Sequence, residues 1–111
     1  MDIPATLQHL HPDASWSLNG DQYDGLVWHD DTPAPSEADL VAAWPGVRDA
    51  RAWAAVRVER DRLLDVSDWS QMPDNALDAP TIAAWAVYRQ ALRDVPQSFA
   101  TPDAVVWPEV P

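Results

Sequence analysis

Apolar positions fall in short runs near the start of the chain and in longer helical stripes after it. Ile3, Leu7 and Leu10 recur at spacings of four and three, which predicts a short helix over residues 2–10. His11-Pro12-Asp13 ends it. Trp16-Ser17-Leu18 alternates, Asn19-Gly20-Asp21 signals a turn, and Leu26-Val27-Trp28 is a second short run. These predict a β-hairpin within residues 15–29, with a loop longer than a two-residue turn. Ser36 followed by Asp39 has the form of a capping box, with Asp in place of Glu. The helix it opens is expected to run to about Ala43.

Trp44-Pro45-Gly46 is a break signal. Beyond it, Ala52, Val56, Leu63 and Val66 lie near one face of a helix expected over Val47–Val66, with Glu59 interrupting the stripe. Arg57–Asp61 and Glu59–Arg62 are spaced to pair on its outer side. Residues 67–77 read as a loop. Asp78 is a good helix cap and Pro80 sits in the first turn, where no hydrogen bond is lost. Trp85, Tyr88, Leu92 and Val95, spaced three, four and three, then mark one face of a last helix. Pro96 is expected to stop that helix near Asp94. A Pro-rich extended tail should follow, pinned by Phe99, Val105, Val106 and Trp107. The expected fold class is α+β, mainly α: an antiparallel helical hairpin with a small N-terminal helix, a β-hairpin element and an extended C-terminal tail. The expected domains are an acidic module over residues 1–46 and a helical-hairpin module over residues 47–111.

Charge sharpens that division. The 111 residues carry 18 acids against seven basic side chains, all Arg, for a formal net charge of −11. Residues 1–46 hold no basic side chain except histidine, and every Arg lies beyond them. Such a balance speaks against nucleic acid or an anionic membrane as partner. No cysteine is present, so disulfide and thiol chemistry are excluded. Apolar residues make up 47% of the chain, enough to build a core. Seven Trp and 11 Pro against three Gly are unusual in so short a chain. Seven indoles exceed what a small core requires, so some are expected to face a partner.

Catalytic chemistry is hard to assemble from these residues. The histidines are His9, His11 and His29, and the first two lie on different faces of a helix, so neither a zinc site nor another metal site is expected. No Ser lies in G-x-S-x-G, and no Gly-rich phosphate loop occurs. Carboxylates are too abundant to single out an acid/base pair. The expectation is a protein that is not an enzyme and uses no cofactor.

The second half holds a more specific pattern. Arg60-Asp61-Arg62-Leu63-Leu64 leads to Ser67-Asp68-Trp69-Ser70-Gln71-Met72-Pro73-Asp74. Then come Trp85, Tyr88-Arg89-Gln90-Ala91-Leu92-Arg93-Asp94-Val95-Pro96 and finally Trp107-Pro108. Over about residues 57–109 this order of motifs resembles the phage tail assembly chaperone domain, also found in tail-fibre assembly proteins. Residues 15–40 carry a weaker likeness to a small module of prophage tail-region proteins. Two positions depart from the family pattern: Asn75 stands where an apolar residue is common, and Gln97–Pro102 lacks the usual glycine.

The resemblance implies a non-enzymatic assembly factor that binds a phage tail-fibre or tail protein. It would act in the host bacterial cytoplasm or remain in the virion tail as a minor component. Self-association stays open. An acidic mimic of DNA that blocks a host nuclease or CRISPR complex is the alternative, although Arg interleaved among the acids flattens the field a mimic needs. Physically, Asp68, Trp69, Trp85, Tyr88 and Leu92 read as scaffold of the helical hairpin, with Trp69 plugging its closed end. Trp107, Phe99, Arg89, Arg93 and Trp28 are the expected partner contacts, with the alternative that Arg89 and Arg93, one turn apart, clamp Asp61, Asp65 or Asp68. Trp107 serves as the anchor of a tail that its prolines pre-order.

Overall fold

A computed structural model describes residues 1–111. Helix α1 spans Ile3–Leu10, strand β1 Trp16–Leu18, strand β2 Leu26–Trp28, helix α2 Glu37–Ser67 and helix α3 Ala79–Ser98. Short 3-10 turns lie at Tyr23–Gly25, Asp68–Gln71 and Pro102–Ala104. The chain divides into two compact units, Met1–Ala50 and Arg51–Pro111. The fold is mainly helical, with one two-stranded antiparallel sheet and a helical hairpin formed by α2 and α3.

In the first unit, Asp2 caps α1 by accepting from the Ala5 amide at 3.0 Å. Ile3, Thr6 and Leu7 are buried, whereas Leu10, expected on the same face, is exposed. The threonine is accommodated because its hydroxyl donates to the Asp2 carbonyl at 2.7 Å. β1 and β2 pair Trp16 with Trp28, Ser17 with Val27 and Leu18 with Leu26. Trp16, Leu18, Leu26 and Trp28 thus share one face and pack on the cluster Ile3, Leu7 and Leu40. The loop between the strands needs two of the three glycines. Gly20 has φ +83°, and a Cβ on Gly25 would run into the Asn19 carbonyl, which lies against it.

Helix α2 opens with the reciprocal cap expected from the sequence. The Asp39 amide donates to Ser36 Oγ and the Ser36 amide to Asp39 Oδ2, each at 3.1 Å. The break expected at Trp44-Pro45-Gly46 is absent: α2 runs through Pro45 without interruption. Proline within a helix costs about 3 kcal/mol. Leu40 and Val47, seven residues apart on the same face, are both buried, and each contributes about 1.5–3 kcal/mol. Exposed Pro45 therefore sits between two anchored turns.

In the second unit, Ala52, Val56 and Leu63 are half-buried as their spacing predicts, but Val66 is exposed. Glu59 stays in the stripe at no cost to solubility because Arg62 grips it through two bonds of 2.7 and 2.9 Å. Asp61 is paired by its neighbour Arg60. On α3, Tyr88, Leu92 and Val95 are buried. Pro96 does not stop this helix, which continues to Ser98. Asp94 explains the extra turn: its carbonyl accepts from Ser98 Oγ at 2.7 Å, and its carboxylate from Gln90 and Gln97. In the tail, Phe99, Val105 and Trp107 are half-buried, whereas Val106, expected to be a pin, is exposed.

Candidate functional site

The conspicuous local construction is the turn that joins α2 to α3. A helix of this length ends on unpaired carbonyls and a negative dipole terminus. No glycine is available there, so side chains complete the end. Ser67 Oγ turns back on the Leu63 and Leu64 carbonyls, and Ser70 Oγ donates to the Ser67 carbonyl at 2.6 Å. Arg89, reaching from α3, donates to the Leu64 carbonyl, to Ser67 Oγ and to Asp68 Oδ1, each at 2.7 Å. Its guanidinium is a charged clamp at the helix end where a cation is favoured. Only 8% of the residue is exposed.

The rest of the turn is tied as closely. Asn75 donates to the Ser70 and Met72 carbonyls and accepts from the Leu77 amide at 2.9 Å. An apolar side chain at this position could make none of these bonds. Gln71 donates to the Ile82 carbonyl. Asp78 caps α3, accepting from the Thr81 amide at 2.9 Å, and its hydrogen bonds with Thr81 hold its carboxyl below the usual range. Glu59 is lowered likewise by its hydrogen bonds with Arg62.

This frame holds apolar side chains in the open. Trp69 is 48% exposed and Met72 58%, and with Pro73, Asp74 and Leu77 they line an open cleft of about 710 Å³. Trp69 therefore is no buried plug. Its ring packs against that of Trp85 in a T-shaped contact with centroids 5.4 Å apart, and Trp85 in turn meets Tyr88 at 5.6 Å. The sequence pattern that missed this is Met72-Pro73, an unbranched apolar residue held by a proline outside any helix.

The expected partner contacts are divided between the two units. Of the two readings of Arg89, the structure has the clamp on Asp68: the donors traced above hold the turn together, and the residue is buried. Arg93 is exposed, with Gln90 Oε1 at 3.5 Å as neighbour. Phe99 follows the end of α3 and, with Val106 and Pro108, lines a small groove beside Val95 and Ser98. Trp107 is half-buried between those two tail residues. Trp28 belongs to the first unit, where its Nε1 donates to the Thr32 carbonyl at 2.7 Å and its ring meets His11. No three His, Asp or Glu side chains are grouped to hold a metal ion. No helix is long and apolar enough to cross a membrane.

The turn, the clamp and the aromatic chain all lie within residues 53–111, and those residues match the family model of the phage tail assembly chaperone protein. The chain belongs to that family. An accessory role in phage tail assembly comes with membership, as does a phage tail protein for partner. The chain is also similar to a Chromobacterium violaceum protein of known solution structure. The identity is 34% over 81% of this chain and 92% of that one, with a TM-score of 0.48. No curated protein matches it. In this chaperone-family chain, Ser67, Ser70, Gln71, Asn75 and Arg89 build the turn that presents Trp69 and Met72.

Proposed function

We propose that this chain is a non-enzymatic assembly factor that holds a phage tail-fibre protein in the host cytoplasm until the fibre trimerises or docks. Membership of the tail assembly chaperone family supports the tail, and one structural observation supports the holding. Trp69 and Met72 are half-exposed or more on a turn fixed by at least eight side-chain hydrogen bonds involving Ser67, Ser70, Arg89, Asn75 and Gln71. An apolar contact surface that is already ordered loses little entropy on binding. Unassembled fibre chains expose apolar surface and strand edges that aggregate, which is the surface such a contact would cover. The strong negative charge keeps the free factor soluble while it carries that patch.

Co-expression with a phage tail-fibre protein tests this. The fibre should become more soluble and co-purify with the chain. Fibre solubility unchanged by the chain, with no complex recovered, would overturn the proposal.

A further inference from the structure

Resting on that reading, we infer that the cleft at the α2–α3 turn binds an extended basic segment of the tail protein that also carries one large apolar side chain. The floor of the cleft is apolar: Trp69, Met72, Pro73 and Leu77. Its border is acidic. Asp74 lines it, Asp68 adjoins Trp69 and Asp78 adjoins Leu77, while residues 65–81 contain no basic side chain. The cation that reaches this turn, Arg89, is buried and engaged by Asp68, Ser67 and the Leu64 carbonyl. With Asp68 paired to Arg89, Asp74 and Asp78 are the carboxylates at the cleft without a cation partner.

Each feature selects the occupant. The half-exposed Trp69 indole in the cleft can take an Arg or Lys against its ring, and the nearby carboxylates attract the same charge. Met72, unbranched and polarisable, adapts to a large apolar side chain beside it. The Ser70 and Met72 carbonyls already accept from Asn75, so recognition runs through side chains and not through strand pairing with the loop. A second copy of this chain is a poor occupant. Its own Trp-Pro segment, Trp107-Pro108-Glu109, brings a carboxylate side chain toward an acidic border. Two chains of charge −11 also repel.

The test uses the full chain and two fluorophore-labelled peptides, Gly-Arg-Trp-Lys-Leu-Arg-Gly and Gly-Glu-Trp-Glu-Leu-Glu-Gly. At low salt the basic peptide should bind at least about tenfold more tightly, with most of that preference lost at high salt. Its resonance shifts should map to the Trp69 indole, the Met72 methyl and Leu77. Met72→Ser should weaken the basic peptide about tenfold at an unchanged thermal midpoint, because Met72 is exposed. Asp74→Asn should weaken it a few-fold, while Asp13→Asn, which removes an equal charge from the first unit, should not. Equal binding of the two peptides, no binding, equal effects of the two Asp variants, or shifts confined to the groove of Phe99, Val106 and Pro108 would each overturn the inference. If wild type and Met72→Ser hold the co-expressed fibre equally, the assembly role stands and this cleft falls. If the peptides behave as expected but no tail protein is held, the cleft stands and the tail-fibre reading falls.

Discussion

The two units of the chain solve the problem of a small core by different means. Residues 1–50 close a short helix, a two-stranded sheet and the start of α2 over Ile3, Leu7 and Leu40, with four strand residues packed around them. Residues 51–111 bury Tyr88, Leu92 and Val95 along α3 and add a buried cation, Arg89, that ties α3 to the end of α2. Apolar burial is tolerant of small shifts, whereas a guanidinium with three partners fixes both distance and direction. The first unit combines apolar contact with hydrogen bonds between neutral groups, such as the Tyr23 hydroxyl to the Pro35 carbonyl at 2.7 Å, and the second adds a buried charged lock. The lock lies next to the surface proposed to bind the tail protein.

The largest expected effect is a cavity in the first unit. Leu7 is fully buried, and Leu7→Ala should cost about 2–5 kcal/mol. Indole resonances of Trp16 and Trp28 should broaden or shift, because both rings pack on the cluster Leu7 belongs to. If the comparison is sound, the Trp69 and Trp85 indoles keep their native positions at temperatures where those of the first unit are already lost. Simultaneous loss of all four would show one cooperative unit and erase the distinction.

Next in size is the lock itself. Arg89→Met keeps the length of the stem and removes the cation, leaving the Leu64 carbonyl and Ser67 Oγ without that partner. The expected loss is about 2–3 kcal/mol, from hydrogen bonds to a charged group, since Asp68 is half-exposed and not stranded. Arg89→Lys should recover only part of it, because one ammonium cannot reproduce the fork. Amide exchange at the end of α2 should accelerate in both variants, while exchange in α1 stays the same. A lysine variant as stable as wild type would mean that charge alone suffices there and direction does not matter.

Much of this contrast is legible in the sequence. The capping box at Ser36 and Asp39, the cap at Asp78, the pairing of β1 with β2 and the buried face of α3 all follow from local spacing. Both misplaced helix ends fall at proline. Pro45 and Pro96 carry strong local penalties, and what overrides them is burial of Leu40 and Val47 in one case and the Asp94 carbonyl and carboxylate in the other. Those groups lie two to five residues from each proline, but nothing in the local pattern says that they outweigh it. Arg89 and Trp69 exchange roles for a related reason. An arginine reads as surface and a tryptophan as core until the partners of each, here 20 or so residues away, are in place. Ser67 and Ser70, spaced one turn apart around Asp68-Trp69, were the available hint that the helix end needed an outside donor.

The smallest expected effect concerns the cap of α3 and its dependence on pH. Asp78 is fully exposed, yet its hydrogen bonds with Thr81 place its folded carboxyl below the ordinary value. A lowered value in the folded chain means that the unfolded chain binds the proton more readily. The cap therefore contributes fully above the unfolded value, about 4, and that contribution fades as pH falls through the folded value. Asp78→Asn keeps an acceptor for the Thr81 amide but removes the charge and the titration. At neutral pH this variant should melt slightly below wild type, and the gap should close as the solution is acidified past about pH 4. Asp78→Ala removes the acceptor as well, so it should melt below Asp78→Asn, and its gap from wild type should narrow with acid without closing. The first unit supplies the control, since Ser36→Ala removes an uncharged acceptor from α2. Its loss, about 1 kcal/mol, should be the part of the contrast that acid does not reach through the serine. If Asp78→Asn tracks wild type at every pH, the α3 cap works by geometry alone, and the charge at that end of the turn serves only the border of the cleft.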